Sequence, residues 1–210
     1  SMRNRFGVVG LSVLFVGACQ QSGPASESVV GPSAPSSVTA IGVEQPWRAM
    51  LTWKVTGIRW AGVPGQATSL FDGRCSVPSD YVIDARFEGQ ATHAGRVTGT
   101  TSHCSQITWS PQGPVGSAYT DGRGALVSAN GSKIYLRYGP GTTGVDVKTG
   151  ELWFRDPFTF EGGTGHFADA SGSGEEGGTF TDFNAILTGA PVQMWMEGTI
   201  AYNPSNRSSR

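Results

Sequence analysis

The sequence has few charged side chains, which make up 15% of its 210 residues, and its formal net charge is −1. It also lacks a basic cluster interleaved with aromatic residues, so it does not match the electrostatic footprint of a nucleic-acid-binding protein. Histidines and cysteines number three each, and none has the close spacing that metal ligands need. We therefore expect no nucleic-acid partner and no bound metal.

Glycine and aromatic residues are abundant instead. The chain holds 31 glycines, six tryptophans and ten phenylalanines, a composition typical of an all-β protein with many tight turns. The densest glycine segment, residues 161–174, predicts a corner between two strands, because glycine readily adopts positive φ angles. Residues 163–168 approach a dinucleotide-binding fingerprint but lack the following helix that would receive a pyrophosphate, so we expect no cofactor.

The N-terminal residues are typical of an export signal. A basic start with Arg3 and Arg5 precedes an apolar run of about 13 residues, too short for the roughly 20 that span a bilayer as a helix. The run ends in Val-Gly-Ala-Cys at residues 16–19, which resemble the bacterial lipobox. That resemblance implies lipidation of Cys19, so we expect an exported protein that its lipid anchors in the bacterial cell envelope. Gln20 favours the outer membrane.

The chain divides into four segments by composition. Residues 1–18 form the predicted signal peptide. Residues 19–45 are rich in Ser, Pro and Gly without a periodic apolar face, so we expect a flexible tether that carries the lipidated cysteine. Residues 46–204 contain the alternating patterns of one folded domain, and residues 205–210 are expected to form a disordered tail.

Alternation of apolar and polar residues predicts about eight strands in the folded domain. Asn130-Gly131 adds a strong hairpin signal, since both residues tolerate the positive φ of a tight turn. Antiparallel strands without a convincing helix predict a closed barrel, because closure removes exposed sheet edges. The predicted strands are residues 47–55, 81–88, 91–102, 125–129, 133–138, 152–160, 179–183 and 192–202. Residues 57–79 are predicted to form a long loop that holds at most one short strand, near residues 58–60.

Four segments resemble the dirigent and allene oxide cyclase barrel superfamily: residues 91–97, 128–135, 162–172 and 196–200. The third contains Gly-Gly-Thr-Gly-His-Phe-Ala and is similar to a glycine-rich corner of that superfamily. The resemblance implies an all-β, closed antiparallel eight-stranded barrel of the calycin type, with a central cavity and a trimeric assembly. Better-known members hold a hydrophobic small molecule there during cyclisation or radical coupling, but none of their catalytic residues aligns one by one with this chain.

Two cysteines, Cys75 and Cys104, remain besides Cys19. An even number of cysteines in an oxidising compartment predicts a disulfide between them, with two free thiols as the alternative. His103 precedes Cys104, but adjacent strand residues project to opposite faces, so we do not expect them to form a nucleophile and its base.

Asp156 and His93 are the candidate catalytic residues. Asp156 has the parity of Phe154, so an unbroken strand would place its carboxylate on an apolar inward face and raise its pKa. Pro157 favours an outward position for Asp156, because proline within a strand marks an edge or a bulge that would shift the register. His93 shares the parity of Val97 and is the other candidate for a polar group in the lumen.

Strand parity also predicts which residues line the lumen. Methionines beside aromatic rings form an adaptable surface suited to a flat apolar ligand. The predicted lining residues are Trp53, Tyr81, Phe87, Phe154, Phe158, Met194 and Met196.

The leading hypothesis is a lipid-anchored envelope barrel that binds a small hydrophobic ligand without turnover. The alternative is a cyclase-like or isomerase-like enzyme that uses Asp156 or His93 in the barrel. A third hypothesis is a structural surface protein whose lumen is filled with side chains. An enclosed cavity favours the first two hypotheses, and convergent polar groups inside it favour the enzyme.

Overall fold

The computed structural model describes residues 42–63 and 69–204. The predicted signal peptide, Cys19, most of the predicted tether and the tail at residues 205–210 lie outside the described residues. This part of the chain contains nine strands and two short helical elements. The strands are β1 (Gln45–Trp60), β2 (Tyr81–Ala91), β3 (Gly95–Ser110), β4 (Gly113–Ser128), β5 (Lys133–Tyr138), β6 (Gly141–Val145), β7 (Leu152–Gly163), β8 (Ser171–Phe180) and β9 (Val192–Ile200).

Hydrogen bonding between neighbouring strands closes the sheet into a barrel. Strands β1 to β4 pair antiparallel in sequence order, and β7, β8 and β9 continue in the same way until β9 pairs with β1. The position between β4 and β7 is shared by β5 and β6, each of which pairs with both. The predicted closed antiparallel eight-stranded barrel is therefore confirmed, with one extra strand because one barrel position is divided in two.

The division falls at Gly139 and Pro140. β5 pairs with β4 before this break and β6 pairs with β4 after it, and the pairing register is the same on both sides. Gly139 has a φ of 83°, a conformation that favours glycine, and Pro140 has no N–H for a ladder hydrogen bond. Pairing therefore stops at these residues and resumes at Gly141.

Alternation sends one face of each strand into the core. In β1, Trp47, Ala49 and Leu51 are buried while Arg48 and Met50 are exposed. The same parity runs through β5 and β7. Burial of each large apolar side chain contributes about 1.5–3 kcal/mol, so two aromatic-rich clusters of such side chains stabilise the barrel.

Strands β3, β4 and β6 differ from the prediction. β2 ends at Ala91 and β3 begins at Gly95, so the predicted strand at residues 91–102 is interrupted at its start by a turn. Residues 113–124 of β4 and all of β6 were not predicted, because their Gly, Ser and Thr residues give no clear alternation of apolar and polar side chains.

The glycine-dense corner is shorter than predicted. β8 already begins at Ser171, and the turn is confined to residues 164–170, where Gly165–Phe167 forms one turn of 3-10 helix. The glycines of β8 instead allow the neighbouring strands to approach closely. A Cβ at Gly178 would collide with the Gln193 carbonyl oxygen and lie 2.7 Å from the Phe154 ring.

The second helical element, α1 (Phe183–Leu187), replaces the end of the predicted strand at residues 179–183. It begins after Asp182, whose carboxylate accepts a hydrogen bond of 2.8 Å from the Asn184 backbone N–H. Ile186 on this helix is buried against the barrel. In the described ranges, no helix has the length and apolar character needed to cross a membrane.

Candidate functional site

A cavity of about 80 Å³ lies inside the barrel, and all nine strands and α1 contribute side chains to its wall. One water molecule needs about 10–15 Å³, so the cavity has room for roughly five to eight water-sized groups. Six of the predicted lining residues border it: Trp53, Tyr81, Phe87, Phe154, Met194 and Met196. The other polar residues of the wall are Thr101, His103, Ser117, Tyr119, Thr143 and Glu176.

Phe158, the seventh predicted lining residue, is buried but does not border the cavity. Its ring packs against Phe160, with 5.0 Å between the centroids. Phe160 in turn packs against Trp47 at 5.0 Å. Parity correctly placed Phe158 in the core, but this part of the core is filled with side chains.

Two carboxyl side chains, Asp156 and Glu176, lie side by side on β7 and β8. They are paired in register and are only 3% and 5% exposed. The Tyr119 hydroxyl on β4 donates a hydrogen bond of 2.7 Å to Asp156 Oδ1. Among the described residues no Lys or Arg forms an ion pair with either carboxyl, so protons must neutralise this pair.

Burial raises the pKa of Asp156 from its ordinary value of 3.8 to about 7, although hydrogen bonds from Tyr119 and Glu176 lower it in part. Burial also raises the pKa of Glu176 well above its ordinary value, and the charge and hydrogen bond of Asp156 raise it further. Burial therefore makes this pair hold on to protons at a pH where free carboxyls have lost theirs. Asp156 Oδ2 is buried without a hydrogen bond of ordinary geometry among the described residues.

His103 stands beside the acid pair as a neutral ring. Burial and, to a smaller extent, the charge of Arg74 together lower the pKa of His103 from 6.5 to about 3. Its Nδ1 lies 3.0 Å from the Tyr138 hydroxyl oxygen. Its ring centroid is 4.9 Å from that of Tyr119 and 6.5 Å from that of Trp53, on which it stacks. His103 therefore adds hydrogen bonding and aromatic surface to the cavity, but no positive charge.

Asp156 points into the barrel, and the expected outward turn at Pro157 is wrong. The pairing of β7 with β8 continues through both residues without a bulge, and burial alternates strictly along this stretch. On its other side β7 has no partner at residues 156 and 157, because they lie opposite the break between β5 and β6. The missing N–H of proline therefore removes no ladder hydrogen bond there.

His93 lies outside the barrel, and its predicted position in the lumen is wrong. The residue is exposed in the turn between β2 and β3, where its φ is 64°. Its Nε2 is 3.0 Å from the Pro46 carbonyl oxygen. Parity fails at this residue because the strand assumed to run through His93 is interrupted there.

The predicted disulfide between Cys75 and Cys104 is confirmed, with an S–S distance of 2.04 Å. It attaches the loop before β2 to β3, and both cysteines are buried. Arg74 adds hydrogen bonds of 2.8 and 2.9 Å to the carbonyl oxygens of Ser102 and Asp121. The loop is therefore held against β3 and β4 while His103, next to Cys104, faces the cavity.

Tyr119 and Glu176 were not predicted as site residues, because their strands were not predicted at those positions. Glu176 lies four residues before Phe180, so strand alternation places both side chains on the same, buried face of β8, and this pattern could have identified Glu176 from the sequence. No cluster of three His, Cys, Asp or Glu side chains suited to a metal occurs in residues 42–63 and 69–204. Two carboxyls that share a proton can nevertheless act as an acid and a base toward one ligand.

Comparison with models of known protein families returned no match, and a search of curated proteins returned none either. The resemblance to the dirigent and allene oxide cyclase superfamily therefore stays a prediction from sequence segments. A function for this chain has to be inferred from its fold and its cavity.

Proposed function

We propose that this protein is a lipid-anchored barrel of the bacterial cell envelope that binds one small, mainly apolar ligand in its interior without turnover. The cavity of about 80 Å³, walled by aromatic rings and methionines, carries this proposal. Unfilled apolar space in a packed core costs stability, so its presence favours ligand binding over a purely structural barrel.

Two features support a place in the envelope. Residues 16–19 resemble a lipobox after a basic and then apolar start. The Cys75–Cys104 disulfide is typical of proteins that fold in oxidising compartments outside the cytoplasm.

Calorimetric titration of the full chain with toluene tests the binding proposal, because toluene is apolar and close to the cavity in size. We expect about one site per chain. Met194→Trp should fill the cavity and abolish binding, whereas Met50→Trp is the matched control, since Met50 is 61% exposed on the outer face of β1. Absence of binding, or equal binding by folded Met194→Trp, refutes the proposal.

A second candidate function is a cyclase-like or isomerase-like enzyme, favoured by the buried pair of Asp156 and Glu176. Glu176, which borders the cavity, would give its proton to one atom of a neutral substrate and take a proton from another atom at its second oxygen, so that the pair ends with the same number of protons. Tyr119 would orient Asp156 through its hydrogen bond of 2.7 Å.

Isomerisation of 3-cyclohexenone to the conjugated 2-cyclohexenone tests this candidate, since the substrate is small and the product absorbs in the ultraviolet. We expect catalysis above the buffer rate that Asp156→Asn and Glu176→Gln both remove. Glu175→Gln, at an exposed neighbouring position on β8, should leave the rate unchanged. A wild-type rate equal to that of the buffer rejects this proton transfer.

A further inference from the structure

Glu176 is the one carboxyl side chain among the described residues that border the cavity, and it is paired with Asp156 directly behind it. No Lys or Arg is among those residues, and His103 is held neutral by burial, which lowers its pKa to about 3. An anionic ligand would therefore meet the acid pair without a compensating cation, which is unfavourable in an apolar interior. A cationic or neutral group does not meet this repulsion.

The hydrogen bonds of the site leave acceptors facing the cavity. Tyr119 commits its hydroxyl proton to Asp156 Oδ1, and Asp156 Oδ2 is left without a donor among the described residues. The Glu176 carboxyl on the cavity wall and the Tyr119 oxygen lone pairs remain as acceptors. A ligand that completes this network must donate hydrogen bonds.

Other polar groups of the wall already have partners. Thr101 Oγ1 accepts a hydrogen bond of 3.2 Å from Trp53 Nε1. Thr143 Oγ1 accepts one of 2.6 Å from the Ser117 backbone N–H and lies 3.2 Å from the Ser117 hydroxyl. His103 Nδ1 is engaged by the Tyr138 hydroxyl, so among these groups the acid pair and His103 Nε2 are where the cavity wall offers unused hydrogen-bonding capacity.

We propose that the cavity selects a small aromatic or alicyclic amine, whose ammonium group donates hydrogen bonds to Glu176 beside Asp156 while its ring occupies the apolar part. This proposal rests on the proposed function as a ligand-binding barrel and names the chemistry of the ligand. The aromatic side chains of Trp53, Phe154 and Tyr119 also border the cavity, and aromatic rings attract a nearby cation. A ring with one aminomethyl group matches the room for roughly five to eight water-sized groups.

A matched ligand series measures this selectivity in the full chain at pH 7.5. Benzylamine, benzyl alcohol, toluene and benzoate share one ring and differ in the charge and hydrogen bonding of the substituent. We expect benzylamine to bind at least tenfold more tightly than toluene or benzyl alcohol, and benzoate not to bind. Tightest binding of benzoate, benzyl alcohol or toluene overturns the amine proposal.

Two variants locate the ammonium site. Glu176→Gln should lower the ratio of benzylamine affinity to toluene affinity at least tenfold, and the toluene binding that remains reports an intact cavity. The matched control Glu175→Gln changes the exposed neighbour and should affect neither ligand. Asp156→Asn is the substitute if Glu176→Gln does not fold, and it should give the same pattern.

The outcomes separate this inference from the proposed function. Binding of toluene and benzylamine with equal affinity refutes the amine selectivity and leaves the ligand-binding barrel standing. Failure of all four ligands to bind refutes both. Unchanged benzylamine affinity in Glu176→Gln and in Asp156→Asn shows that the amine binds elsewhere and overturns the assignment of the ammonium site.

Discussion

Replacing both buried acids with their amides, Asp156→Asn together with Glu176→Gln, should remove a loss of stability that the wild type suffers as the pH rises. The amides keep the shape of the pair and can replace the shared proton with an N–H donor. Tyr119 can still donate to residue 156. The variant therefore removes the two titrations while it keeps the hydrogen-bonded arrangement.

The magnitude follows from the pKa of Asp156, which burial raises from 3.8 to about 7. Between these values the folded protein holds a proton that the unfolded chain has released, so the stability of the wild type falls as pH rises through this window. One pKa unit corresponds to about 1.4 kcal/mol, which gives a loss of about 4 kcal/mol between pH 4 and pH 7. The raised pKa of Glu176 acts in the same direction and adds to the loss.

Urea unfolding followed by tryptophan fluorescence at pH 4 and pH 8 measures this difference. The double variant should match the wild type within about 1 kcal/mol at pH 4, where both acids are protonated, and exceed its stability by at least about 4 kcal/mol at pH 8. Other groups such as His103 titrate in both proteins and cancel. Glu175→Gln breaks an exposed ion pair of 3.0 Å with Arg155 and should change stability by less than about 1 kcal/mol at either pH. A difference that stays constant from pH 4 to pH 8 would falsify the assignment of these pKa values.

Three further predictions concern the disulfide, the break between β5 and β6, and the anchor. Changing both Cys75 and Cys104 to Ser opens a loop with a sequence separation of 29 and should lower the unfolding free energy in urea by about 3–4 kcal/mol; an unchanged midpoint contradicts this. Gly141→Ala places a Cβ 2.6 Å from that of Asp156 and should cost about 1–3 kcal/mol in the same assay. Gly57→Ala, whose nearest neighbouring atom is 3.9 Å away, is the control and should cost less. Mass spectrometry of the membrane fraction should find a diacylglyceryl adduct on Cys19 that Cys19→Ser lacks, and an unmodified soluble product argues against the anchor.

Six of the seven lining residues that parity along single strands predicted border the cavity. A period of two sends alternate side chains to one face, which predicts that Trp53, Phe87 and Met194 lie inside, and all three border the cavity. Parity also places Asp156 inward, and only a register shift at Pro157 would turn it outward. The structure keeps the parity because the proline lies beside the break between β5 and β6.

Strand prediction failed where glycine, serine and threonine occupy the positions that hold apolar residues in the other strands. β8 contains Glu176 among glycines, and the first half of β4 contains Tyr119 among small polar residues. Such segments have little side-chain pattern, and their strand conformation comes from pairing with neighbours that supply the apolar surface. Both residues were missed for that reason, although Asp156, their partner in the site, was a predicted candidate.

The sequence by itself determined the all-β class, the disulfide between the two cysteines of the domain and the inward face of the aromatic strands, because each follows from composition or from residues near one another in the chain. Only the tertiary structure decided which carboxyls and hydroxyls meet. Tyr119 and Asp156 are 37 residues apart, and their contact depends on barrel closure and on the register of strands that do not follow one another in sequence. The cavity likewise exists only where side chains from all nine strands fail to fill the space between them, which is a property of packing that no single strand encodes.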